Sequence, residues 1–333
     1  MRAWTRLMLS GMLLACTVPA VAQVPNPVQQ SPEPAERTQE ESAAGHGSIS
    51  IAYLNTYVNG FWLDSKTNVP NGAVHSQGVA LQAEYYVADA WSVYFGIPFL
   101  RNRYQGLQPH CPTTTPPQCA PGNPGGVPAL NPPHPESHFI DDGLYHGTWQ
   151  DYSFGAAYHT QIEDYIIIPS ITVVIPSHDY VFFDNAAVGQ RLKQLMLSAE
   201  LDHQFEFTNI YYKLGYGFVF SQKVLNENTG YQRFYGELGY FINEKFTART
   251  FISGRLGNGL SAYELGPLTD GSTNAYWYHH DQIAEHNYFG AGVGFDYSMG
   301  KHYTLTASVQ REFWGETVFD FQYACEVRLT RDF

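Results

Sequence analysis

The sequence predicts an all-β fold, a transmembrane antiparallel up-and-down β-barrel of about twelve strands that ends on the final residue, Phe333. Three observations predict it. Apolar and polar residues alternate with a period of two through segments long enough to cross a bilayer at a tilt. The connectors between those segments alternate between short and long. Aromatic residues make up 15% of the chain, yet after the leader no unbroken apolar run approaches the roughly 18 to 20 residues of a membrane-crossing helix. Strands that face lipid on one side and a polar interior on the other reconcile many rings with low hydropathy.

The chain opens with Arg2 and Arg6, an apolar run from Leu7 to Cys16, and the small-residue pattern Ala20-Val21-Ala22. Residues 1–22 therefore read as a secretory signal peptide cleaved after Ala22. Leu13-Leu14-Ala15-Cys16 also resembles a lipoprotein box, which would instead leave Cys16 as an acylated first residue. Residues 23–47 are rich in Pro, Gln and Glu and predict a disordered periplasmic arm. Residues 48–333 predict the barrel.

The last strand sets the pattern. Phe319, Phe321, Tyr323, Cys325, Val327, Leu329 and Phe333 alternate with Asp320, Gln322, Ala324, Glu326, Arg328, Thr330 and Asp332. The two preceding segments repeat it around 303–313 and 289–297. The same rule places strands near 48–62, 75–87, 91–101, 148–160, 165–177, 192–204, 209–221, 230–241 and 245–257. Tight connectors fall at 88–90, 161–164, 206–208, 243–244 and 300–301. Long ones fall at 63–74, 102–147, 178–190, 222–229 and 258–285. Short turns belong to the periplasm and long loops to the outside, so an even strand number puts both termini in the periplasm of a Gram-negative cell. Strands of this length argue against a secreted β-sandwich, whose strands run about 5 to 6 residues.

Net charge is −13, and loss of Arg2 and Arg6 with the leader takes the mature chain to −15. Repulsion from phosphate excludes nucleic acid as a partner. The expected partners are outer-membrane lipid and lipopolysaccharide, the barrel-assembly machinery that reads the C-terminal strand, and a small-molecule solute; no cofactor is expected. With polar faces inward, the lumen-lining candidates are Glu84, Asp151, Glu200, Asp202, Lys213, Arg233, Glu237, Arg249, Arg255, Asp296, Glu312, Asp320, Glu326 and Arg328. Both signs in a narrow interior predict an ion-pair network that stiffens the barrel, a selectivity lining for a polar or anionic solute, or both.

Pro98, Pro169 and Pro176 each remove a ladder donor, and a bulge or strand end must absorb each one. Pro169 lies nearest the middle of the membrane. There a broken ladder would open the wall sideways and release an apolar solute into the bilayer. The segment 103–147 is crowded with Pro and Gly and holds Cys111 and Cys119, which an oxidising compartment would join as a loop staple capping the mouth. Its histidines match no compact metal-ligand spacing. No Gly-x-Ser-x-Gly, phospholipase-type His/Ser/Asn or omptin-type acidic and His-Asp pattern is found. Ser153 and His159 share a strand face, too common a pair to assign catalysis.

Gly147-Thr148-Trp149-Gln150-Asp151-Tyr152-Ser153-Phe154-Gly155, Ile171-Thr172-Val173-Val174-Ile175-Pro176-Ser177 and Val93-Tyr94-Phe95-Gly96-Ile97-Pro98-Phe99 resemble strands of the outer-membrane family named for the meta-pathway of phenol degradation. The resemblance spans roughly 48–333. It implies a channel or transporter for a small aromatic or hydrophobic molecule, and no catalytic residues. The alternatives from other classes are a barrel enzyme acting on lipid or lipopolysaccharide, and a structural or adhesive barrel.

Overall fold

The computed structural model describes residues 42–106, 140–269 and 275–333. The leader, most of the arm and the Cys111–Cys119 segment lie outside them. Twelve strands form one closed antiparallel barrel, each hydrogen-bonded to its neighbours in sequence. They are β1 (Gly47–Asp64), β2 (Thr67–Ala88), β3 (Trp91–Gln105), β4 in three pieces (His146–Trp149, Asp151–Tyr158 and Thr160–Ile162), β5 (Tyr165–Pro176) and β6 (Gln194–Gln204). The second half holds β7 (Ile210–Ser221), β8 (Tyr231–Phe241), β9 (Phe246–Gly257), β10 (Asn287–Ser298), β11 (Tyr303–Glu316) and β12 (Val318–Asp332). Two helices, α1 (Ala262–Thr269) and α2 (Ala275–Ile283), lie between β9 and β10.

Closure is made by β1 against β12, from Ser48↔Asp332 to Trp62↔Val318. Gly47 and Phe333 exchange two backbone hydrogen bonds of 2.9 Å, so the last residue completes the seam. Both ends of the barrel chain therefore lie at the short-turn rim. The arm reaches that rim in order: Ser42 and the Ala44 amide donate to Asp89, and the Gly45 amide donates to Tyr86 O. Residues 42–46, expected to belong to a disordered arm, are thus held against the rim.

The barrel is inside-out. On β12, Val327 is 48% exposed and Leu329 38%, whereas the alternate Glu326 and Arg328 are 3% and 2% exposed. On β1, Ile49, Ile51 and Tyr53 face out while Ser50, Ala52 and Thr56 are buried. An exposed apolar surface and a buried polar one is the arrangement lipid requires.

One sequence expectation is corrected, and two long connectors fall where expected but carry structure of their own. Residues 63–74 are not a loop: β1 and β2 continue past the rim as a hairpin, and Asp64 Oδ1 caps its turn by accepting from the Lys66 and Thr67 amides at 2.8 and 2.9 Å. The 258–285 connector contains α1, which begins on a reciprocal Ser261/Glu264 box, with Glu264 Oε2 accepting from the Ser261 amide at 2.8 Å. Segment 178–190, a long connector at the rim opposite the short turns, folds inward and buries Tyr180, Phe182, Ala186, Ala187 and Val188.

The prolines shape β4. Gly96↔Ser153 and Phe99↔Trp149 differ by one residue in register, so β4 carries a bulge opposite Pro98. Gln150 donates its amide to Pro98 O and accepts from the Ser177 amide just after Pro176. The second break, at His159, falls opposite Ile168 and Pro169 without any change of register. Pro169 still pairs with Ala199 on its other side.

Glycines on the inner face accept the rings of neighbouring strands. A Cβ at Gly239 would lie 2.0 Å from Tyr211 Cζ, whereas one at Gly215 would meet nothing closer than 3.7 Å. Gly239→Ala should lower the unfolding free energy by about 1 to 3 kcal/mol, and Gly215→Ala should change it little. Urea unfolding in lipid vesicles checks the difference.

Candidate functional site

The charged residues of the inner face form two tiers. In the tier nearer the short turns, Arg249 bridges two carboxylates, with Nη1 3.1 Å from Glu237 Oε2 and Nε 3.2 Å from Asp296 Oδ2. Tyr211 donates to Glu237 Oε1 at 2.8 Å, Tyr235 donates to Glu237 Oε2, and Thr306 donates to Asp296 Oδ1 at 2.7 Å. Lys213 pairs with Asp202 at 3.3 Å, Glu200 lies beside both, and Arg328 pairs with Glu326. Strand alternation puts these groups on one face, and the curvature of the barrel brings them together from β6, β7, β8, β9, β10 and β12. A charge left alone in such a setting is costly, so the tier is held as a unit.

The other carboxylates are dispersed. Asp151 accepts from Tyr180 at 2.6 Å and so ties the inward segment to β4. Asp320 accepts from Asn68 at 2.6 Å, and Glu312 lies near Asp320 and Trp62. Glu84 stands 3.9 Å from His159 Nε2, and the same nitrogen is 2.9 Å from Ser92 Oγ. Ser153 instead donates to Gly96 O, so the Ser153 and His159 pair is not brought together. Ser92 has 0% exposure, and Glu84 approaches the serine-facing nitrogen rather than the far one. That is not the relay geometry of a catalytic triad.

The outer tier contains Arg233 and Arg255, directly opposite each other on β8 and β9. Arg255 is 6% exposed and its Nε has no partner. Its guanidinium lies over the Tyr231 ring at 3.8 Å. Outside the strands, burial first and then the Arg255 charge hold the His286 imidazole down at about 3.

The inward segment closes much of the outer half. Asn102 donates to Ala187 O at 2.7 Å, and Asp141 accepts from the Asn185 and Ala186 amides at 3.1 and 2.8 Å. Ala186 and Ala187 pack with Val58, Val74, Tyr104, Phe319 and Phe321. Above it, Leu265 of α1 and Ile283 of α2 pack with Leu192 and Val224. The expected staple of Cys111 and Cys119 lies outside the described residues, and Cys325 is a free thiol.

No sequence pattern announced the next feature. The β11–β12 ladder runs from Tyr303↔Arg331 to Gln310↔Ala324 and stops, although β11 continues to Glu316 and β12 begins at Val318. Each strand stays with its outer neighbour, through Phe289↔Trp314 and Phe61↔Phe319. β11 carries a one-residue register shift there, between Phe289/Gly290, and β12 carries one between Tyr57/Val58 that a second, between Val58/Phe61, reverses. Paired bulges bend the two strands apart. Arg311 Nη2 and Gln322 Oε1 bridge the unpaired stretch at 3.3 Å.

No family model matches the chain, and no curated protein matches it. Among solved structures, the COG4313 outer membrane channel from Pseudomonas putida F1 is similar over 89% of this chain and 99% of its own, with 11% identity and a TM-score of 0.61. That likeness supports the fold of an outer-membrane barrel. The KdgM porin covers 85% of this chain and 99% of its own at 9% identity, and the CymD monoaromatic hydrocarbon channel covers 87% and 89% at 11%. Both have TM-scores of 0.42, too loose to argue from.

Arg249→Met would strand Glu237 and Asp296 in the interior. It should cost about 3 to 5 kcal/mol of stability, measured by urea unfolding of the reconstituted protein.

Proposed function

We propose that the protein is an outer-membrane channel for a small aromatic or hydrophobic molecule, with the short turns and both termini in the periplasm. The observation that carries this is the unpaired stretch between β11 and β12. A barrel wall normally pairs every backbone group, because an unpaired one facing hydrocarbon costs several kcal/mol. A ladder that stops within two continuing strands is therefore a costly feature, and it lies beside apolar side chains. Phe313 is 61% exposed on the outside, while Phe319 and Phe321 are buried on the inside.

The lower ion-pair tier and the inward 178–190 segment occupy the axial path. A solute that enters past the outer loops has the side of the barrel as its way out, and an apolar solute gains by leaving into hydrocarbon. The lateral route assigned from sequence to Pro169 is better served here, since Pro169 keeps its register with Ala199. Pro98 and Pro176 flank Gln150 and Asp151 at a second, smaller irregularity. The sequence resemblance to the phenol meta-pathway family supports the same solute class. Lipid and lipopolysaccharide would surround the exposed rings, and the strand ending at Phe333 would be read by the assembly machinery. No catalytic residue is assigned.

A staple tests the route. Arg311→Cys with Gln322→Cys, in a background with Cys111, Cys119 and Cys325 changed to Ser, should be joined across the unpaired stretch by a bis-methanethiosulfonate linker, which spans more than a direct disulfide can. Cells expressing the unlinked form should admit N-phenylnaphthylamine faster than cells without the barrel, and linking should slow that entry at least tenfold, reversibly on reduction. Entry that is unchanged by a verified link would discard the lateral route. Entry no faster than in cells lacking the barrel would discard the channel.

A further inference from the structure

Arg233 and Arg255 face one another across β8 and β9, and like charges directly opposite in a ladder destabilise it. The structure offers them no relief. Neither guanidinium has an ion pair or hydrogen bond among the described residues, and Arg255 is buried with its Nε unpartnered. Every arginine of the lower tier, by contrast, meets a carboxylate. Glu312, two strands from Arg255, lies near Asp320 and Trp62 instead.

The surroundings are aromatic on one side and small on the other. Tyr231 stacks on Arg255, and Tyr288 is its cross-strand neighbour on β10. Arg233 is opposite Gly217, which is opposite Ser198. On the far side of Tyr288 the same row reaches Gly315, within the unpaired stretch of the wall.

We propose that Arg233 and Arg255 form a binding site for the carboxylate of a small aromatic acid, whose ring lies against Tyr231 and Tyr288. Two planar guanidinium groups present forked donors that match a carboxylate, and a bound anion removes the repulsion between them. The aromatic body is the part the tyrosine rings recognise, and the row leads it toward the gap. The site's use rests on the barrel being a passage, whereas its affinity does not.

The test is calorimetric titration of the purified full-length mature protein in detergent, with sodium benzoate and the neutral benzyl alcohol as probes. Heat-modifiable migration on a gel verifies that each variant is folded. Benzoate should bind one saturable site, with benzyl alcohol at least tenfold weaker. Arg255→Gln and Arg233→Gln should each weaken benzoate at least tenfold, while Arg255→Lys, which keeps the charge and loses the fork, should fall between. Equal benzoate affinity in folded wild type and Arg255→Gln, or no benzoate binding to the folded wild type, would overturn the proposal. N-phenylnaphthylamine entry is measured without benzoate, so the two failures separate. Entry without benzoate binding removes the site alone, and benzoate binding without entry supports the site while removing the channel.

Discussion

The rest of the molecule depends on closing the backbone ladder. Inside a bilayer no water relieves an unpaired N–H or C=O, so a sheet must have no edge. The mutual hydrogen bonds of Gly47 and Phe333 and the long register of β1 with β12 meet that requirement. Once the ring is closed, the pleat sends one residue to lipid and the next to the lumen wherever the ladder runs unbroken. The inside-out burial follows without any further rule.

Closure also forces charge into a confined space, and the two tiers meet that constraint differently. The lower tier solves it internally, with Arg249 shared by Glu237 and Asp296 and with tyrosine hydroxyls filling the remaining carboxylate positions. Such a network gains specificity of packing more than raw stability. Among the described residues, the upper tier leaves two arginines without a counter-charge. Satisfied groups fix a structure, and unsatisfied ones are where a ligand finds something to bind.

Period-two alternation made the strands legible, since twelve predicted segments correspond to twelve observed ones and their short and long connectors fall at the expected ends. What failed had physical reasons. Thr67–Gly72 carries turn-forming Asn, Pro and Gly, yet pairing with β1 recruits it into a strand beyond the rim. The short α1 contains Pro267 and lacks a long apolar stripe, although Ser261-Ala262-Tyr263-Glu264 spelled out a capping box that was there to be read. Alternation assigns charges to a face along the unbroken stretches, whereas Asp320 lies beyond the bulge of β12 and alternates with the inward Phe319 and Phe321. The pairing of the charges was not legible, because which strands curve toward each other is a property of the closed ring. The orphaned pair of Arg233 and Arg255 is visible only after that ring is drawn.

The wall gap lies where local composition gave no sign of it. Proline removes one donor at one position, and the neighbouring strand on the other side still pairs with it, as Ala199 does with Pro169. Separating two strands over half their height requires that each be drawn toward its other neighbour. The register shifts of β11 against β10 and of β12 against β1 do this from opposite directions. The shift in β12 turns Phe319 and Phe321, which the sequence pattern sets on the apolar outer face with Val327 and Leu329, to the inside, because an added residue exchanges the two faces of a strand. An opening in such a wall is therefore a cooperative product of four strands. It sits in the half of the barrel where the ion pairs are sparse, so the rigid tier can preserve closure while the other half departs from it.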